Sequence, residues 1–299
     1  MNTGEHKFSI GNMNSDGSIS GRRLTRIFLI RNRPFVRPSV RVCWFSWLAE
    51  LSLVCGCILG TALDLSWGGE PDFGARARKA YREAEQKHAK SPKDNQLAWQ
   101  FARACFDIAD FSTNSAERAD FAAKGIAACN EVLASDRDSA VAHYYLGMNL
   151  GQLAQTRGLS ALKLVDQMEH EFKTARALDE KLDYGGPDRN LGLLYRDAPS
   201  WVSVGSRGRA TRHLLRAAEL APNYPENRLN LVESYLKWSD RNGIKREMKL
   251  LEQMWPEARK EFSGPQWELS WADWTQRLQQ VKKKLGEPSR TIESPRSKD

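Results

Sequence analysis

Residues 210–235, ATRHLLRAAELAPNYPENRLNLVESY, decide the fold class of this chain. The stretch begins with an Ala-x3-Leu-x2-Ala run, is interrupted at Pro222, and continues with apolar residues at helical spacing over residues 228–235. Apolar residues three and four apart share one face of a helix, and a proline usually ends one. The stretch therefore predicts the second helix of one helical hairpin, a turn, and the first helix of the next hairpin.

The spacing of the prolines predicts that such hairpins repeat along the chain. Pro92, Pro222 and Pro256 each lie 12 residues after a small or apolar residue, and Pro222 and Pro256 are 34 residues apart. A period of 34 residues is that of tetratricopeptide repeats, in which each unit is a pair of helices. We therefore predict an all-α fold, a right-handed α-solenoid of irregular tetratricopeptide-like hairpins.

A second pattern marks the first helix of each hairpin. A small residue lets the paired helices approach closely, and a larger apolar residue fills the space between them. The members are Leu146-Gly147 with Leu150, Leu191-Gly192 with Tyr195, Leu231-Val232 with Tyr235 and the weaker Phe101-Ala102 with Cys105. Inserts between the two helices are predicted at residues 111–116, 156–163 and 197–208, and a solenoid places such inserts on one edge, where they can form a site.

The chain divides into four predicted parts. Residues 1–41 form a disordered, basic leader, 42–63 a signal or transmembrane segment, 74–285 the repeat domain, and 286–299 a disordered tail. Residues 1–57 contain eight basic and three acidic residues, so they carry +5 of the formal net charge of +8. The rest of the chain is nearly neutral and lacks the broad basic face that nucleic-acid binding needs, so we expect no nucleic-acid partner.

The segment at residues 42–63 is apolar except for Glu50 and a few small polar residues. A membrane span needs about 20 such residues, and the arginines before the segment predict that the rest of the chain is exported. Four interpretations stay open: a lipoprotein signal lipidated at Cys57, an uncleaved anchor, a signal peptide cleaved near residues 60–62, and a buried helix of a cytosolic protein. A carboxylate at Glu50 weakens the anchor. We expect a membrane-tethered protein on the periplasmic side of a bacterial cell envelope.

The sequence shows no pattern typical of catalysis or metal binding. Its five histidines are scattered, and no nucleophile with a base and an orienting acid can be identified. The glycine-rich segment 205–209 follows no strand, so we interpret it as a turn in which Ser206 or a neighbour caps the helix that begins near Arg209, and not as a phosphate-binding loop. We therefore predict a non-enzymatic protein with no cofactor and no metal.

The first helices of a solenoid line its concave wall, which is the usual surface for a protein partner. In this register the candidate partner-binding residues are Tyr144, Met148, Arg189, Leu193, Arg196, Glu233 and Lys237. The stripe of Trp267, Trp271 and Trp274 is interpreted as the face that seals the end of the stack. Cys105 and Cys129 are placed on facing helices, where either a disulfide or two buried free thiols would fit.

Three segments carry a resemblance to a known family. They are YYLGMNLGQLAQ (144–155), FKTARALDEKLDYGGPDRNLGLLYRDAP (172–199) and GSRGRATRHLLRAAELAPNYPENRLNLVESYLKW (205–238). This part of the chain resembles the T component of TRAP-type transporters, a family of periplasmic lipoproteins with irregular tetratricopeptide-like repeats. The resemblance implies an accessory protein that docks on a substrate-binding protein and handles a small apolar ligand. The candidate pocket residues for that ligand are Leu159, Leu162, Trp201 and Val202.

Overall fold

A computed structural model describes residues 72–201 and 203–286, with only the backbone of residues 158 and 159. The predicted leader, the apolar segment at 42–63 and the residues beyond 286 lie outside the described residues, as do Cys57 and Val202. Within the described part, no helix combines the length and the apolar character that a membrane crossing requires.

The fold of the described residues is all-α, with ten α-helices and no strand. Two short 3-10 helices, Gly158–Ala161 and Pro265–Trp267, precede α5 and α10. The α-helices are α1 (Phe73–Lys90), α2 (Asn95–Asp110), α3 (Ser115–Ser135), α4 (Ala140–Ala154), α5 (Leu162–Leu178), α6 (Leu182–Asp197), α7 (Arg207–Leu220), α8 (Pro225–Lys237), α9 (Arg241–Glu261) and α10 (Glu268–Leu285).

Side-chain caps fix where several helices begin. Asp94, Asn114 and Asp240 each accept a hydrogen bond from a backbone N–H in the first turn of α2, α3 and α9. Ser206 does the same for α7, accepting from the backbone N–H of Arg209 at 3.3 Å. Such caps satisfy N–H groups that have no partner within the helix. The interpretation of Ser206 as a cap is therefore confirmed.

The proposed repeat position of Pro256 is wrong. Pro92 and Pro222 lie in the turns before α2 and α8, as the spacing predicted, but Pro256 lies inside α9, which continues to Glu261. Proline in a helix interior removes one backbone hydrogen bond. Pro256 is exposed in α9, so water can bond the carbonyl that loses its partner. The 34-residue spacing of Pro222 and Pro256 therefore does not mark equivalent positions.

The helices pack in chain order and also in a second series. Each helix from α1 to α9 contacts the next one, and α2, α4, α6 and α8 each contact the following even-numbered helix. The even-numbered helices therefore form a continuous row, while α3, α5 and α7 each join two members of that row. The connections α2–α3, α4–α5 and α6–α7 fall at residues 111–114, 155–161 and 198–206, where the inserts were predicted.

A single large apolar core runs from α1 to α10. Trp267, Trp271 and Trp274 of the predicted end-sealing stripe are buried in it, and the ring of Trp274 lies 5.3 Å from that of Tyr224, the residue directly before α8. Cys105 and Cys129 are buried free thiols, and burial raises the pKa of each well above its usual value. Thiols in that state react slowly, so they serve as packing residues.

Close helix packing at Gly147 predicts a stability difference between two glycine variants. A Cβ added at Gly147 would lie 2.6 Å from the ring of Phe172 in α5, so Gly147→Ala should lower the free energy of unfolding by about 1 to 3 kcal/mol. Gly208 in α7 has no atom near the Cβ position, so Gly208→Ala should leave stability unchanged or raise it. Urea unfolding followed by circular dichroism measures both, and equal effects would contradict the packing.

Candidate functional site

The most unusual backbone of the described residues lies at the start of α6. Asp183, Tyr184 and Gly185 have φ angles of 49°, 58° and 76°, so three consecutive residues adopt the left-handed conformation. That conformation costs a residue with a side chain about 1 to 2 kcal/mol. Only Gly185 avoids the cost, and a Cβ there would also lie 3.1 Å from the Cα of Ala217. Strain of this kind persists only where surrounding contacts hold it in place.

Arg189 is the main contact that holds the left-handed turn. Its guanidinium donates hydrogen bonds to the backbone carbonyls of Asp183 and Tyr184, at 3.1 and 3.4 Å, and forms an ion pair with the Asp183 carboxylate. Arg189 is 1% exposed, so these bonds form away from water. Burial alone would lower the pKa of Arg189, but the neighbouring Asp183 and Tyr144 raise it, and the residue stays charged.

Residues from α4 and α8 close the turn from two sides. The Tyr144 hydroxyl of α4 donates to the Asp183 carboxylate at 2.6 Å, and the Asn227 amide of α8 donates to the Tyr184 carbonyl at 3.0 Å. The ring of Tyr184 stacks on that of Tyr224, with centroids 4.6 Å apart. The left-handed turn is therefore the point where α4, α6 and α8 meet.

A second buried arginine joins α10 to the same region. Arg277 donates two hydrogen bonds to the Glu233 carboxylate of α8, at 2.8 and 3.0 Å. It donates a third to the side-chain oxygen Oδ1 of Asn230, at 2.6 Å. Asp273, one turn earlier in α10, lies 3.5 Å from its guanidinium. We call Asp183, Arg189, Glu226, Glu233, Asp273 and Arg277 the charged cluster.

Glu226 is the weakly bonded member of the charged cluster. It is 2% exposed, its carboxylate accepts a hydrogen bond from Tyr224 at 3.3 Å, and the guanidinium of Arg277 lies 4.0 Å away. Burial raises the pKa of Glu226 to about 7, although Arg189 and Arg277 act in the opposite direction. The cluster therefore contains one carboxyl group that changes charge near neutral pH.

An exposed tryptophan marks the connection between α6 and α7. Trp201 is 85% exposed, far more than the other large apolar side chains of the described residues. The base of the connection is held firmly, because the backbone N–H of Ser206 donates to the Tyr195 carbonyl at 2.8 Å and Arg209 donates to the Val204 carbonyl at 2.6 Å. At Gly205 a Cβ would lie 2.1 Å from the Ala198 carbonyl oxygen, so the chain there is packed tightly.

The connection between α8 and α9 lies beside the one that carries Trp201. Lys237 at the end of α8 forms an ion pair with Asp197 at the end of α6, at 2.7 Å. Arg207 pairs with Asp240 at 2.9 Å and lies over the ring of Trp238. We call residues 198–206 and 238–240 together the loop edge.

The structure places the candidate partner-binding residues in two groups. Tyr144, Met148, Arg189 and Leu193 are buried among neighbouring helices, with exposures of 1 to 3%. The other three have more accessible side chains or lie near the loop edge. They are Arg196, which pairs with Asp197, Glu233, which binds Arg277, and Lys237, which is half exposed.

The candidate ligand-pocket residues are only partly described. Leu162 is half-buried at the start of α5, and Trp201 projects from the α6–α7 connection. The side chain of Leu159 and all of Val202 lie outside the described residues. Within the described part of the chain, no group of three or more His, Cys, Asp or Glu side chains is arranged to hold a metal ion.

Sequence reasoning missed four members of the charged cluster: Asp183, Glu226, Asp273 and Arg277. Their helices read as ordinary amphipathic segments, and periodicity alone does not show that α10 packs against α8. One available signal was Asp183-Tyr184-Gly185-Gly186-Pro187, since paired glycines before a proline indicate a turn that needs positive φ.

A comparison with protein families found a similarity over part of the chain. The model of a family described as "Regulator of microtubule dynamics protein 1-3" matches residues 70–182, well under half of the 299 residues. The matched part includes α1 to α5 and ends at the first residue of α6. A comparison with curated proteins gave no match.

The raised pKa of Glu226 predicts how stability depends on pH. The folded state binds this proton more tightly than the unfolded chain, where the pKa is 4.5, so stability falls as pH rises from about 4.5 through about 7. Glu226→Gln removes this dependence. When the pH is raised from about 5 to about 8, the free energy of unfolding of the variant should therefore rise relative to that of the wild type, by at most about 3 kcal/mol. Urea unfolding at the two pH values measures the change.

Glu247 supplies the matched control for that experiment. It is also buried, at 1% exposure, but Arg228 and Arg246 bind it at 2.7 and 2.9 Å. Glu247→Gln should therefore destabilise the protein at both pH values. A Glu226→Gln variant that loses stability equally at both would show that Glu226 is ionised throughout.

The position of Arg189 predicts a large loss on substitution. Arg189→Gln leaves the buried Asp183 carboxylate unpaired and two carbonyls of the left-handed turn without their donor, so the free energy of unfolding should fall by about 3 to 5 kcal/mol. Arg216→Gln removes an arginine that binds Glu180 and Glu219 on the surface, and it should change stability little. Similar effects of the two substitutions would contradict the role of Arg189.

Proposed function

We propose that this chain is a non-enzymatic helical-repeat protein that binds a partner protein and is tethered to a membrane. Its hairpins, α2–α3, α4–α5, α6–α7 and α8–α9, would form the right-handed, tetratricopeptide-like solenoid that the sequence predicts. The continuous row of even-numbered helices supports this arrangement, because a solenoid stacks the first helix of each unit on that of the next.

The observation that carries the proposal is the exposure of Trp201. Moving an apolar side chain of this size out of water into an interface is favourable in free energy. Tryptophan is also among the residues that contribute most to binding at protein interfaces. The loop edge around it is fixed by Ser206, Arg209 and the Lys237–Asp197 ion pair, so little conformational entropy would be lost when a partner binds.

The composition of the loop edge indicates the kind of surface it offers. Arg207 and Lys237 border the loop edge in sequence and are each about half exposed, and Asp240 and Asp197 pair with them. An aromatic anchor surrounded by paired charges is typical of a specific protein interface with a polar rim. The partner would therefore present an apolar pocket for Trp201 and polar groups around that pocket.

The family similarity supports the same class of function for the amino-terminal half of the domain. The name of the matched family describes regulation of microtubules, which are protein polymers, so its members are described by an effect on other proteins. We propose that residues 70–182 share the fold of that family. The partner of this chain is not identified by the similarity.

The tether and the location rest on the sequence. Residues 42–63 are long and apolar enough to hold the chain at a membrane, as an anchor or through lipidation of Cys57. We propose the periplasmic side of a bacterial envelope as the location. A substrate-binding protein of an uptake system is one candidate partner, on the resemblance to TRAP transporter T components.

The proposal predicts that partner capture depends on Trp201. The full-length protein, purified in detergent and immobilised, should retain a specific protein from an envelope extract, and Trp201→Ala should reduce the amount retained about tenfold or more, as for a central aromatic anchor. Leu250→Ala, at an exposed apolar residue of α9, is the matched control and should retain as much as the wild type. Equal capture by the wild type and Trp201→Ala would contradict the role of the loop edge.

A further inference from the structure

The first helix carries a concentration of positive charge that the overall composition conceals. Residues 73–93 contain seven basic residues and two acidic ones, so this short segment has a net charge of +5. The leader at residues 1–57 carries another +5 of the total of +8, and the remainder of the chain is slightly acidic. All seven basic side chains are exposed: Arg76, Arg78, Lys79, Arg82, Lys87, Lys90 and Lys93.

Four of the basic residues lie on the side of α1 that faces away from the core. The buried side of α1 contains Ala77 and Tyr81, with Tyr81 packed against Phe101 of α2 and Phe121 of α3. Arg76 and Lys79 are three residues apart, and so are Lys87 and Lys90. The second pair follows the first by eleven residues, which is about three helical turns. These four side chains therefore share one face, opposite to Ala77 and Tyr81.

Much of this charge is not neutralised by neighbouring acids. Arg76 pairs with Glu268, and Arg78 and Lys79 have acidic neighbours at 3.7 and 3.9 Å. Among the described residues, no carboxylate lies within ion-pair distance of the other four basic side chains. These are Arg82, Lys87, Lys90 and Lys93.

We propose that the exposed basic face of α1 is an electrostatic docking surface for an anionic lipid bilayer. Only nine residues, 64–72, separate α1 from the apolar segment at 42–63, and an extended chain of that length reaches about 30 Å. If the apolar segment is held in a bilayer, α1 is therefore kept close to its surface. A basic cluster beside a membrane segment attracts anionic headgroups, with a gain of about fivefold in binding for each basic group.

The composition of the face indicates adsorption without insertion. The exposed residues of α1 are charged, polar or small, and of its two aromatic residues Tyr81 is buried against the core and Phe73 is half-buried. Helices that insert into a bilayer surface present large apolar side chains there. The binding should therefore be purely electrostatic and should weaken as salt is added. It would hold the repeat domain against the membrane in one orientation.

The test compares lysine reactivity in full-length protein reconstituted into lipid nanodiscs. One set of discs contains phosphatidylcholine alone, and the other also contains about one-third phosphatidylglycerol, whose negative surface potential is the variable under test. Acetylation of each lysine is measured by mass spectrometry. Lys87 and Lys90 should react at least about threefold more slowly in anionic discs at low salt and recover at high salt. Lys245 and Lys249 on α9, which are also exposed, are the internal controls and should not change.

A charge variant tests whether α1 itself causes the protection. Lys87→Gln together with Lys90→Gln changes two exposed side chains and should weaken the protection of Lys79 and Lys93 in anionic discs. Equal reactivity of the α1 lysines in both kinds of disc would overturn the proposal. Protection by free poly-glutamate but not by anionic discs would also overturn it, since the surface would then serve an acidic protein.

The inference rests on the tether proposed for residues 42–63, and the same discs separate the two. A chain that neutral discs fail to retain would show that the tether is wrong. In that case the α1 proposal still predicts retention by anionic discs alone at low salt, and absence of that retention would overturn it as well.

Discussion

The described structure depends on the guanidinium of Arg189. Three consecutive residues, 183–185, are left-handed, and two of them carry side chains that make this conformation costly. The hydrogen bonds of Arg189 to the carbonyls of Asp183 and Tyr184, and its ion pair with Asp183, offset that cost. Because Tyr144 and Asn227 bond the same turn, one buried side chain determines how α4, α6 and α8 meet.

The charged cluster also fixes the position of the last helix, and a further ion pair joins α6 and α8 next to the loop edge. Arg277 of α10 binds Glu233 of α8, so α10 is fixed to the same row of helices. The opposite ends of α6 and α8 are joined by Lys237 and Asp197, next to the connection that carries Trp201. The helices α6 and α8 are thus held together at both of their ends. A partner that binds Trp201 would meet a surface already arranged before binding, which favours affinity.

The helical character and the connections of the domain could be predicted from sequence, because both depend on local patterns. The apolar spacing in residues 210–235 and the cap at Ser206 are properties of short segments. Pro256 was misread because proline spacing does not show whether a helix can continue on its exposed side. The burial of Tyr144 and Arg189 could not be foreseen, since it depends on contacts between distant helices. Tyr144 binds Asp183, and Arg189 binds Asn227, and in each pair the two residues lie about 40 positions apart in the chain.

The distribution of charge was also hidden by summation over the chain. The region after residue 57 is nearly neutral as a whole, yet seven exposed basic residues are concentrated in and just after α1. A net charge near zero for this region does not exclude a basic face on one of its helices. The face becomes visible only when the buried side of α1 is known from its contacts with α2 and α3.

The central claim is that the charged cluster makes α6, α8 and α10 one cooperative unit. Native-state hydrogen exchange of the full-length protein, measured at increasing denaturant concentrations, tests this most directly. The account predicts that amides in the middle of the three helices, such as those of Leu194, Val232 and Leu278, exchange through one shared opening with one free energy. An α10 that opens separately, at a clearly lower free energy than α6 and α8, would contradict the account.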